Sequence, residues 1–152
     1  MATTVDWVLV ADRSRARIFK TPTDQKGHFP LHATFAHEEG RLQRHEMESD
    51  SPGRVYRQGG SRSGVDPHED PEHRESRKFA AELSVYLDKA CQEHQFDRLI
   101  VVAPPTFLGI LRDHWTVPVQ ACIAHEIHKE LAGLSDSHVQ TRLADILTEV
   151  PA

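Results

Sequence analysis

Apolar and polar positions along the chain fall into blocks of distinct period. Val5-Asp-Trp-Val-Leu-Val-Ala11 is a short apolar run that stops at Asp12-Arg13-Ser14, and Arg15-Ala-Arg-Ile-Phe-Lys20 then alternates. The two predict a β-hairpin whose first, more apolar strand is central in its sheet. Thr21 to Gly27 is turn chemistry, after which Leu31, Ala33 and Phe35 alternate with His32, Thr34 and Ala36 in a third strand. From Gly40 to Val65 the periodicity disappears, which predicts a long flexible loop. Asp70-Pro71-Glu72 then supplies an N-cap, a proline at the first helical position and an acidic first turn, with Asp66-Pro67 as an alternative start. Phe79, Leu83, Tyr86, Leu87, Ala90 and His94 follow at helical spacing, opposite Lys78, Glu82, Lys89 and Glu93, and predict the long core helix.

Arg98-Leu-Ile-Val-Val-Ala103 is unbroken and β-branched, as expected of a strand covered on both faces, and Pro104-Pro105 turns the chain out of the sheet. A second helix fits Thr106 to His114, and Val117-Pro-Val-Gln-Ala-Cys-Ile-Ala124 reads as a final strand, which together predict a parallel βαβ unit. Gly133 breaks the chain, Ser137-x-x-Gln140 can form a capping box, and Val139, Leu143, Ile146 and Leu147 mark a closing helix. The order is a three-stranded meander followed by helix, strand, helix, strand and helix. It predicts a single α/β domain with a mixed sheet of about five strands flanked by helices, an order shared by ribonuclease H-like folds.

Composition changes this picture in two places. At 152 residues the chain suits one core, and its polarity is concentrated between Gly40 and Ser76. No apolar run reaches the ~20 residues of a membrane span and the N-terminus lacks a secretory pattern, so a cytoplasmic protein without membrane insertion is expected. Cys91 and Cys122 fall in apolar, regular segments with no close pairing in sequence, which predicts reduced, buried thiols.

Charge singles out one stretch. The chain carries a net charge of -5, yet Ser51 to Val65 has no acidic residue and holds Arg54, Arg57 and Arg62, a local charge of +3. Such a reversal points to an anionic partner. Gly59, Gly60 and Gly64 permit positive φ and close approach, while Gln58, Ser61 and Ser63 add polar groups of small or moderate size. The remaining candidates are weaker. His68-x-Asp70-x-x-His73 lacks the three or four ligands at fixed geometry that a metal needs, and His125 and His128 beside Glu126 suit a solvated face. Asp6, Asp12 and Asp97 flank strands, but the last two are better explained as turn residues than as ligands of a two-metal nuclease. No nucleophile-base pair or phosphate-binding glycine loop is present in sequence, and Trp7 and Trp115 suit packing rather than base stacking. No catalytic residue, metal or cofactor is therefore expected.

Several separated segments resemble the host attachment protein family of bacteria, itself similar to the middle domain of archaeal and eukaryotic peptide chain release factors. They are Trp7-Val-Leu-Val-Ala-Asp-Arg-Ser-Arg-Ala-Arg-Ile-Phe19, Gln58-Gly-Gly-Ser61, Phe79-Ala-Ala-Glu-Leu83, Leu99-Ile-Val-Val-Ala-Pro-Pro105 and Glu126-Ile-His-Lys-Glu-Leu131. In release factors the loop before the long helix carries Gly-Gly-Gln, which helps water attack the peptidyl-tRNA ester. Gly59 and Gly60 match those glycines, but Ser61 stands where the glutamine would be and Gln58 lies on the other side. A one-residue slip moves an amide by several ångströms, more than the placement of an attacking water tolerates. The resemblance thus implies a non-catalytic RNA- or ribosome-associated protein, with Arg54, Arg57 and Arg62 on phosphates beside Gln58, Gly59, Gly60 and Ser61. It leaves two other readings open: an interaction module for attachment to host cells or surfaces, whose loop meets an acidic protein partner, and a divergent peptidyl-tRNA hydrolase.

Overall fold

The computed structural model describes residues 5–21, 29–38, 41–46 and 71–149. Its strands are β1 (Asp6–Ala11), β2 (Arg15–Thr21), β3 (Leu31–Glu38), β4 (Arg41–Glu46), β5 (Arg98–Ala103) and β6 (Ile123–His128), and its helices α1 (Pro71–Gln92), α2 (Pro105–Arg112), α3 (Val117–Cys122) and α4 (Asp136–Glu149). The strands form one sheet in the order β4-β3-β2-β1-β5-β6. β1 to β4 are an antiparallel meander, and β5 joins β1 and β6 in parallel. This is the expected mixed α/β sheet flanked by helices, with β1 inside it.

The pleat divides the core into two layers. Trp7 and Leu9 of β1, Ile18 of β2, Phe35 of β3 and Leu99 and Val101 of β5 pack with Phe79, Leu83 and Leu87 of α1, Leu108 and Leu111 of α2 and Val119 of α3. The alternate residues, Val8, Val10, Phe19, Ile100 and Val102, pack with Leu131 and with Val139, Leu143 and Ile146 of α4. Burial on both faces explains why β1 and β5 are apolar at nearly every position. Trp7 and Trp115 are both buried, in line with their reading as packing residues. Arg17 points to the α4 side, where its Nη2 donates to the carbonyls of Ala132 (3.2 Å) and Leu134 (2.6 Å) and its Nε lies 3.3 Å from the Asp136 carboxylate.

Four elements depart from the sequence reading. Arg41–Glu46 pairs with β3 from Glu38↔Arg41 to Ala33↔Glu46, making a sixth strand inside the stretch expected to be loop. Its one apolar residue, Leu42, leaves no alternation to detect, and backbone pairing at a sheet edge needs none. Val117–Cys122 is a helix and not a strand: Pro118 sits in its first turn and the Thr116 hydroxyl accepts from Val119 N at 3.4 Å. The parallel strand begins at Ile123, so two helices make the crossover. His94 lies beyond α1 in a left-handed conformation, φ 59°, with Gln95 N bonded to Ala90 O at 2.9 Å. Finally, Ser135 caps α4, its hydroxyl accepting from His138 N at 3.3 Å; Gln140 instead accepts from Phe29 N at 3.1 Å.

Candidate binding cleft

Because β1 and β5 are parallel neighbours, their C-terminal ends open on the same side, the place where open α/β sheets form crevices. A cleft of about 530 Å³ lies there, lined by the turn Asp12-Arg13-Ser14-Arg15, by Glu72, His73 and Ser76 of α1, by Pro104, Thr106, Phe107 and Ile110 around α2, and by Glu130. The turn is built by its aspartate. Asp12 Oδ1 accepts from Ser14 N and Arg15 N, both at 2.9 Å, and from the Ser14 hydroxyl at 3.3 Å. Asp12 N closes the hairpin on Arg15 O at 2.9 Å. These bonds hold the Asp12 carboxylate in the turn, as expected from sequence, and project Arg13 and Arg15 from it.

The cleft's charges are of both signs. Arg13 Nη2 meets Glu72 Oε2 at 2.5 Å and Arg15 Nε lies 3.6 Å from Asp12 Oδ2. The Arg13 and Glu72 side chains are 59% and 57% exposed. A pair so open to water is worth about 0–1 kcal/mol, so an incoming carboxylate or phosphate can take Glu72's place at little cost. α2 opens on Pro104 in an extended conformation with no side-chain cap and no acidic residue in its first turn. The orphan amides and positive end of that helix are thereby left for solvent or a ligand. The hydroxyls have structural uses: Ser14 donates to Asp12, and Ser76 donates to the main-chain carbonyl of Glu72 at 3.0 Å. The cleft thus sets two guanidinium groups and the open end of α2 beside the carboxylates of Asp12, Glu72 and Glu130, and contains no activated nucleophile among its described residues.

One residue before Ser76, Glu75 reaches His37 of β3, with Oε1 2.6 Å from Nε2. The His37 side chain is only 5% exposed. Burial pushes the Glu75 carboxyl up, but the hydrogen bond from His37 and the charges of Lys78 and His37 outweigh it and leave the group below its ordinary value of 4.5.

The sequence-predicted site residues Arg54, Arg57, Gln58, Gly59, Gly60, Ser61 and Arg62 lie outside the described residues, as do His68 and Asp70 of the histidine motif. Among the described residues no group of three or more His, Cys, Asp or Glu side chains is placed to hold a metal. Asp6, Asp12 and Asp97 do not converge. Asp6 makes a two-point contact with Arg98, at 3.1 and 2.6 Å, and Asp97 Oδ2 accepts from Val5 N, both at the end of β1 opposite Asp12. Arg13, Arg15 and Thr106 were not singled out as site residues from sequence, and His73 was weighed only within the histidine motif. The available signal was that two buried apolar strands, Val5–Ala11 and Arg98–Ala103, each end in a polar or proline turn.

A family model described as "protein required for attachment to host cells" matches residues 7–143, and the chain belongs to that family. Among curated proteins none matches. Solved structures similar to it include an archaeal protein at 12% identity and TM-score 0.42, covering 95% of this chain and 38% of that one. Another is an archaeal translation termination factor at 15% identity and TM-score 0.40, covering 95% and 39%. The chain thus spans less than two-fifths of either protein's length. No described helix is long and apolar enough to cross a membrane.

Proposed function

We propose that this protein is a non-enzymatic binding module serving attachment to host cells, and that it recognises an acidic protein surface. Membership of the attachment family over residues 7–143 is the observation that carries this reading. The physical support is local. The window with Arg54, Arg57 and Arg62 is +3 in a chain of net charge -5, and the same chain enters α1 at Pro71, whose neighbour Glu72 is on the rim of the cleft that holds Arg13 and Arg15. Chain connectivity keeps Arg62 within about 30 Å of that rim. Five guanidinium groups offered to carboxylates can each make two-point contacts, and the glycines let the backbone follow the partner.

The test is a titration of the parent and of Arg54, Arg57 and Arg62 alanine variants against an acidic polypeptide and against short single-stranded RNA at several salt concentrations. The acidic polypeptide is expected to bind, with affinity lost on each arginine change and also on Val55→Ala or Tyr56→Ala, because a segment that folds onto a protein buries apolar area. RNA bound with a log-log salt slope of about -2, flattened by roughly 0.7 per arginine and blind to base identity, would replace this reading with the RNA- or ribosome-associated one. In cells, loss of attachment on removing the gene should be restored by the parent and not by the triple arginine variant.

A further inference from the structure

Two thiols 31 positions apart in sequence meet where α1 and α3 end: Cys91 Sγ lies 3.4 Å from Cys122 Sγ. The absence of a close pair in sequence therefore does not hold in space. Both residues are unbonded and partly buried, at the rim of the core layer that α1 shares with α3. Reaching a disulfide bond length requires an approach of about 1.4 Å. Only short segments need to adjust, since Cys91 lies in the last turn of α1 and α3 has six residues. With no third histidine, cysteine or carboxylate placed to complete a metal site among the described residues, the chemistry open to the pair is oxidation.

We propose that Cys91 and Cys122 are a modification site: on two-electron oxidation by a peroxide they form an intramolecular disulfide that ties the end of α1 to α3, directly ahead of β6. One thiolate attacks a peroxide oxygen, the O–O bond breaks, and hydroxide leaves to become water with the proton that the thiol gave up. The second sulfur attacks the resulting sulfenic acid. The S–S bond forms, the S–O bond breaks, and the departing hydroxide takes the second thiol's proton as another water. Two sulfurs are oxidised and one peroxide is reduced. Burial, the neighbouring Cys122 and the Asp88 carboxylate push the Cys91 thiol up to about 11. The charged or titratable groups facing it are thus Asp88 from α1 and Cys122 from α3, and both disfavour its thiolate. Oxidation accordingly speeds up as pH rises toward that value, while at neutral pH the pair resists casual reaction.

The experiment treats the full chain with hydrogen peroxide at neutral and alkaline pH, then alkylates with iodoacetamide before and after reduction and maps the peptides by mass spectrometry. The expected product is a monomer short of two hydrogens, with Cys91 and Cys122 peptides joined and no alkylation until dithiothreitol is added. Its Tm should rise by about 5–10 °C, because the bond closes a long loop in the unfolded chain. Cys91→Ser and Cys122→Ser should each remove both the cross-link and the rise. A trivalent arsenical, which bridges two adjacent thiols, should bind the reduced parent protein one per chain, and this measurement needs no variant to fold. Alkylation of both cysteines after oxidant, sulfinic acid at either one, or disulfide-linked dimers as the main product would overturn the proposal.

Discussion

Glu75 and His37 show how a single contact reports on its surroundings. The carboxyl is depressed below 4.5 in the folded protein, so folding favours its ionised form. The stability it contributes is full above the unfolded value and is lost as pH falls through the folded one. Acid titration of the parent should therefore show a loss of stability below about pH 4.5 that Glu75→Gln lacks. With the Glu75 side chain 36% exposed, solvent screening keeps the difference under about 1 kcal/mol. Urea midpoints for both proteins between pH 3 and 6 check it, and parallel curves would show that the contact does not persist in solution. Nothing in the sequence joins His37 and Glu75, since their meeting depends on α1 lying across β3. The same holds for Cys91 and Cys122, which meet where α1 and α3 end.

At the scale of elements, α1 ends by forcing a histidine into the left-handed region that glycine takes without cost. His94→Gly should stabilise the protein by about 0.5 kcal/mol, the strain removed being larger than the entropy that glycine adds to the unfolded chain. Chemical denaturation checks this, and a loss of stability would mean that the imidazole makes contacts worth more than the strain. Most elements were legible: β1, β2, β3, α1, β5, α2 and α4 each announce themselves by period, proline or an apolar run. Three were not, for different reasons: β6 (Ile123–His128) lies mostly beyond the strand read over Val117 to Ala124, whose first six residues are helical. Val117-Pro-Val-Gln-Ala-Cys122 has the composition of a strand over too few residues for periodicity to decide, and Thr116 as a cap with Pro118 in the first turn was the better guide. Arg41–Glu46 is a strand only through its backbone partners on β3.

The whole molecule is a sheet with an apolar layer on each side, and the layers share β1 and β5. Leu83 of α1 and Leu143 of α4 are both fully buried, one in each layer. Leu83→Ala and Leu143→Ala should each cost about 2–5 kcal/mol. Because the layers share strands, both variants are expected to unfold in one transition with the slope unchanged. A second transition in Leu143→Ala alone would show that α4 comes off the sheet by itself. The cleft was the least legible feature at this scale. It is lined by the turn after β1, by α1 and by α2, which the chain visits far apart, and nothing in any of these segments names the others.

That same separation sets an order of events when the chain is made. Along one edge β1 bonds to β2, its immediate successor, but along the other it bonds to β5, whose Arg98 lies 92 positions beyond Asp6. A ribosome adding 5–20 residues per second needs roughly 5–20 s to supply that partner. Through this interval β1 has one ladder of backbone groups unmet; the arrival of β5 closes that ladder, and the face of β1 that α4 covers waits until Asp136–Glu149 follows.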